Sequence, residues 1–154
     1  MASTTRIVLL AAAAAACGGD GPTTPTLEPL EAWACTHVAE GDVVDASLDR
    51  GAAPSVPTGR SPLRVNIVSG ETNFLAFDVD TAQAWVLLAD QAGALPAVWE
   101  GDARVELDPA VTDPSCDEDL PEMRRIELGA GPHHVEVGPV FQGNVWMVLG
   151  PDGG

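Results

Sequence analysis

From residue 30 onward, apolar and polar positions alternate with a two-residue period, the spacing of strands that bury one face. Val44, Ala46 and Leu48 alternate with Asp45 and Ser47, and Leu63, Val65 and Ile67 with Arg64 and Asn66. Leu75, Phe77 and Val79 share one face of the segment 74–79. The run Trp85-Val86-Leu87-Leu88 is continuously apolar, as expected of a strand covered on both faces. Segment 95–99 returns as a strand, and Val105 with Leu107 forms a short one. Arg124, Ile126 and Leu128 alternate with Arg125 and Glu127; His133, Val135 and Val137 share a face, as do Val145, Met147 and Leu149.

Turn chemistry separates these runs. Pro54, Pro57, Gly59 and Pro62 mark 51–62 as a loop or sheet-edge crossing, and Ser69-Gly70-Glu71, 90–93, 129–131 and 138–143 are turns. No segment after residue 30 sustains helical periodicity for more than two turns. The expected fold is therefore all-β: a small antiparallel β-sandwich or jelly-roll of roughly eight strands spanning residues 30–150, with a disordered tail at 151–154.

The N-terminal segment follows a different pattern. Arg6 precedes ten apolar residues, Ile7 to Ala16, and then Cys17 and a Gly-, Thr- and Pro-rich stretch to Pro29. A basic start, a short apolar run and small residues at a cut describe an export signal over residues 1–16. Ten helical residues reach about 15 Å, half of a bilayer core, so the run is too short to span one. Ala14-Ala15-Ala16-Cys17 resembles the lipobox of bacterial lipoproteins, with Ala14 where that family usually has Leu. The resemblance implies that Cys17 is acylated, becomes the mature N-terminus and anchors the chain to a membrane, with 17–29 as a flexible linker. Gly18 rather than Asp after the Cys favours the outer membrane by analogy with lipoprotein sorting. The same small residues also satisfy the rule for ordinary secretory cleavage, which would leave Cys17 a free thiol.

Export changes how the other cysteines read. With Cys17 acylated, Cys35 and Cys116 are a natural disulfide pair in an oxidising compartment. Closing that loop would stabilise the fold by about 4–5 kcal/mol in the chain-entropy treatment. The formal net charge of −16, with seven Arg and no Lys, excludes a nucleic-acid partner and peripheral attachment to anionic lipid. A solvated acidic surface with room for a cationic partner remains.

Candidate chemistry is sparse. Neighbouring His133 and His134 must point to opposite faces of a strand, His133 to the core and His134 outward with Glu136. His37, His134 and Glu136 are suitable ligands for zinc or copper if the fold joins them, which defines an envelope metal-binding module as the alternative reading. Cys116, His133 and Met147 are too far apart for a blue-copper site. The segment 113–122 carries five carboxylates, enough for calcium but without EF-hand spacing. No nucleophile elbow or other catalytic signature occurs, so the chain reads as a non-enzyme, with an unrecognised hydrolase as a second alternative. No cofactor is called for beyond those possible cations. Trp33, Trp85, Trp99 and Trp146 suit core packing, or, where exposed, a patch for a protein or glycan partner.

The segments Gly70-Glu71-Thr72-Asn73-Phe74-Leu75-Ala76-Phe77-Asp78-Val79 and Ala130-Gly131-Pro132-His133-His134-Val135-Glu136-Val137 resemble the bacterial pre-peptidase C-terminal (PPC) β-sandwich family. His133 stands where that family has Tyr. The resemblance covers about Leu63 to Leu149 and implies a non-catalytic accessory or binding module, with no catalytic residue to carry over. The functional expectation is a membrane-anchored lipoprotein presenting a binding or structural β-sandwich at the cell envelope.

Overall fold

The computed structural model describes residues 28–108 and 120–153. The expected export signal, Cys17, nearly all of the expected linker and Cys116 lie outside those residues. Nine strands are described: β1 (Asp42–Asp45), β2 (Leu63–Asn66), β3 (Asn73–Val79), β4 (Gln83–Ala89), β5 (Ala97–Glu100), β6 (Ala103–Glu106), β7 (Glu122–Leu128), β8 (Gly131–Val137) and β9 (Asn144–Pro151). They form a five-stranded sheet, ordered β1-β2-β9-β4-β7, and a four-stranded sheet, ordered β3-β8-β5-β6. The fold is all-β, as the alternation predicts, with one strand more than expected.

The two sheets close on one core. Leu63, Val65, Trp85, Leu87, Val145, Met147 and Leu149 of the larger sheet pack with Leu75, Phe77, Val79, Val98, Val135 and Val137 of the smaller. Each of these strands supplies alternate residues, so its pleat turns the apolar set inward. β4 does more. Its Trp85, Leu87 and Ala89 enter this core, while Val86 and Leu88 join a second cluster with Leu30, Ala34, Leu120, Met123 and Val148 on the opposite face. The continuous apolar run of β4 is therefore explained by cover on both sides.

The element that supplies the outer cover corrects the expectation of β structure from residue 30 onward. Leu30–His37 is an α-helix, α1, of eight residues. Leu30 and Ala34, one turn apart, are its buried stripe, and Glu31 bonds Arg125 of β7 at 2.6 Å. Two turns are too few to announce themselves by periodicity and too few to be stable alone; packing onto β4 and β9 decides the helix.

Two further corrections concern register and length. β1 pairs with β2 in parallel, Asp42 opposite Leu63, within otherwise antiparallel sheets. A parallel return needs a long crossover. The chain makes it along the rim of the smaller sheet, where Ser47 bridges Phe74 and Ser55 bridges Ala76 of β3. That is the expected sheet-edge crossing. At the other terminus β9 includes Pro151, and Asp152 donates its amide to Ala84 O at 2.8 Å and accepts from Arg125. Residues 151 and 152 are thus part of the fold rather than of a tail.

Candidate functional site

Two surfaces gather polar and aromatic side chains. The first is the outer face of the four-stranded sheet. Because Val135 and His133 of β8 point into the core, His134 and Glu136 point away from it, beside Trp99 of β5 and Arg104 of β6. Glu136 is 5% exposed, and both of its oxygens are engaged. Its Oε1 accepts from Trp99 Nε1 at 2.7 Å and Arg104 Nε at 2.8 Å, and its Oε2 accepts from Arg104 Nη2 at 2.8 Å. This bidentate fork holds the Glu136 carboxyl below the usual carboxylate range, against the opposing effect of burial. The same pairing raises the Arg104 guanidinium above its ordinary value. Arg50 lies over the Trp99 ring, 4.0 Å from its centroid, and bonds Asp102 at 3.0 Å. His134 is lowered from 6.5, first by burial and then by the charge of Arg50 and by its neighbour His133. On this face Arg104 pairs with Glu136 and Arg50 with Asp102, while the buried Nδ1 of His134 has no hydrogen-bond partner among the described residues.

The sequence-predicted metal ligands are not brought together. His134 and Glu136 share this outer face, but His37 sits on α1, against the outer face of the other sheet. There its ring stacks on Trp33 at 4.7 Å and its Nδ1 is 2.8 Å from Trp33 O. Glu136 would have to release Arg104 to ligate anything. Among the described residues no group of three or more His, Cys, Asp or Glu side chains could hold a metal ion. The proposed calcium loop lies mostly outside the described residues. Its last carboxylate, Glu122, is fully buried in β7, accepting from the amides of Ala94 and Leu95 at 2.6 and 3.3 Å and from Arg124 Nε at 2.7 Å. Glu122 therefore clamps the β4–β5 loop rather than facing solvent. Cys35 lies on α1 and is partly buried against the outer cluster; the position of its expected partner, Cys116, is among the residues not described.

The tryptophans also resolve. Trp85 is buried in the core. Trp33, Trp99 and Trp146 are half-buried, and each carries a guanidinium over its ring, from Arg60, Arg50 and Arg64 respectively. His133 is 1% exposed, stacks on Phe77, and has Nδ1 2.9 Å from Gly131 O, the core histidine that alternation predicts.

The second surface is where two loops meet at one end of the strands. A cavity of about 540 Å³ lies between Asp90, Gln91 and Ala92 of the β4–β5 loop and Pro139, Val140, Phe141 and Gln142 of the β8–β9 loop. That size falls within the range of about 300–1,000 Å³ usual for small-ligand pockets. Both walls are pinned. Trp146 N donates to Asp90 Oδ1 at 2.9 Å, Asp90 N to Trp146 O at 3.0 Å, and Gln91 Nε2 to Asn144 O at 2.6 Å. Opposite them, Gly138 N donates to Ala94 O, Gly70 N to Val140 O and Ile67 N to Gly143 O, all within 3.0 Å. Gly138 has φ +92, and a Cβ there would lie 2.7 Å from Glu71 O, so only glycine fits this approach. Burial raises the Asp90 carboxyl above its ordinary 3.8, the backbone hydrogen bond from Trp146 opposing.

Phe141 stands at the tip of this pinned loop and is 94% exposed. A buried Phe would gain about 1.5–3 kcal/mol over one in water, and this aromatic stands outward beside an open cavity. Sequence reasoning reads 138–143 only as a turn. The available signal was an aromatic placed between Pro139 and Gly143, where turn residues are expected to be polar.

No family model matches the chain, and no curated protein matches it as a relative. β3 and β8 pair from Asn73–Val137 to Val79–Gly131.

Proposed function

We propose that the chain is an exported lipoprotein, anchored through acylated Cys17 in the cell envelope, whose β-sandwich is a non-catalytic binding module that engages its partner through the β4–β5 and β8–β9 loop end. The observation that carries the binding half is Phe141, outward at 94% exposure on a loop hydrogen-bonded at both bases, beside a cavity of ligand size. Preorganisation of that kind lowers the ordering cost of binding. The export signal and the Ala14-Ala15-Ala16-Cys17 pattern support the anchor, and Gly18 supports the outer membrane as destination. The PPC-like pair of strands supports an accessory role over a catalytic one. So does the outer face of the smaller sheet, where Glu136 spends both oxygens on Trp99 and Arg104 and none on a reactive group. The Cys35–Cys116 disulfide belongs to the same reading, since an exported chain meets an oxidising compartment.

Metabolic labelling with a fatty-acid analogue tests the anchor. The full chain takes up label and Cys17→Ser does not; an unlabelled full chain removes the anchor from the proposal. Thiol counting on the unreduced, denatured protein tests the staple, and two reactive thiols from Cys35 and Cys116 would refute it. A photoreactive amino acid at position 142, introduced in the producing cells, tests the binding surface. Position-dependent crosslinks that vanish when the photoreactive group is moved to exposed Glu127 support the loop end; equal crosslinking from both positions overturns it.

A further inference from the structure

The lining of the loop-end cavity narrows the chemistry of what it takes. Phe141 offers an aromatic face to solvent, and Ala92 and Pro139 offer small apolar contacts. Between them sit two carboxamides, Gln91 and Gln142, and the half-buried carboxyl of Asp90. No Arg lines the cavity among the described residues, in a chain with formal net charge −16. An anionic ligand would meet Asp90 with no counter-charge. A purely apolar ligand would cover the Gln91 carbonyl and the Gln142 carboxamide and leave them unpaired. A cationic ligand would meet a single, half-buried carboxylate, Asp90, whose Oδ1 already accepts from Trp146 N.

What remains is a neutral molecule with an apolar face and hydroxyls around its edge. We infer that the β4–β5 and β8–β9 loop end binds a neutral saccharide, with Phe141 stacking on the C–H face of a pyranose ring and Gln91 and Gln142 exchanging hydrogen bonds with its hydroxyls. The inference rests on the proposed binding role of this loop end and names its ligand class. Carboxamides suit hydroxyls because each presents both a donor and an acceptor; Gln91, whose amide nitrogen donates to Asn144 O, keeps its carbonyl as an acceptor. Phe141 supplies the stacking surface without a change of shape, since Gly70 N and Gly138 N already hold its loop.

The test presents the full chain, in detergent micelles, to immobilised neutral oligomers of glucose and of N-acetylglucosamine. Uronic-acid oligomers and cationic glucosamine oligomers serve as charged controls. The expected result is retention by at least one neutral series, no retention by uronates, and a loss of about tenfold or more in affinity for Phe141→Ala. Gln142→Ala weakens the same series to a lesser degree. Both side chains are exposed, so neither variant threatens the fold. No neutral oligomer retained, retention unchanged in Phe141→Ala, or retention confined to cationic oligomers each overturns the inference. Crosslinking from position 142 separates the two levels. Crosslinks to a protein with no saccharide retained sink the saccharide and keep the binding surface, whereas neither signal sinks both.

Discussion

The two outer faces of this molecule solve one problem in opposite ways. Each sheet must cover the side turned away from the shared core. The five-stranded sheet does it with hydrocarbon: Val86, Leu88 and Val148 lie under Leu30 and Ala34 of α1. The four-stranded sheet does it with charge: Arg50 lies over Trp99, and Arg104 forks onto Glu136. Apolar cover gains from every methylene it hides. Charged cover gains little from each pair, because desolvation offsets much of the attraction, but it fixes orientation and leaves the surface soluble. The difference teaches why β4 reads as an unbroken apolar run while β8 alternates.

The comparison can be broken by substitution. Leu88→Ala, at 1% exposure under α1, should cost about 2–5 kcal/mol in a denaturant melt. Arg104→Ala on the other face should cost less, about 1–2 kcal/mol, because solvent reaches the guanidinium and Trp99 still serves Glu136. Equal costs would mean that the two covers are energetically alike.

A pH titration of thermal stability sharpens the contrast, since acid should act on the charged face first. The folded state lowers His134 from 6.5, so its contribution is fully present above that value and is lost as pH falls below it. Glu136 is lowered from 4.5, so its contribution persists to lower pH and is lost beneath that range. His134→Gln should flatten the upper limb and leave the lower one; an unchanged upper limb would remove His134 as its cause. The smallest effect belongs to neither face. Phe141→Ser at the loop tip should shift stability by no more than about 0.5 kcal/mol, and a loss above about 2 kcal/mol would show that Phe141 packs rather than presents.

Much of this architecture is legible from residue spacing, for a physical reason. Where a strand buries one face its period of two is written in the chain, as at Leu75, Phe77 and Val79, and the inward turn of His133 follows from the same rule. The features that escaped depend on contacts distant in sequence. α1 is too short to carry a period, and its stripe is only Leu30 and Ala34. The parallel return of β2 is a property of the crossover, which no local pattern encodes. Glu122 looks like one more loop carboxylate until Ala94 and Leu95, far back along the chain, turn their amides toward it. The expected metal ligands are separated by topology: His37 and His134 belong to elements on opposite outer faces. Phe141 lies in a turn, where residue spacing encodes backbone conformation and not side-chain exposure.

One contact fixes the end of the sheet at which the chain enters the fold. Leu30, where α1 begins, packs close to Gly150, whereas the cavity opens beside Asn144 and Asp90 at the other end of β9. Six residues of strand separate the two ends by about 20 Å. The chain therefore enters the fold at one pole, and the loop-end cavity lies at the other. Under the proposed anchoring at Cys17, the face offered to a partner is the pole away from the point where the fold begins.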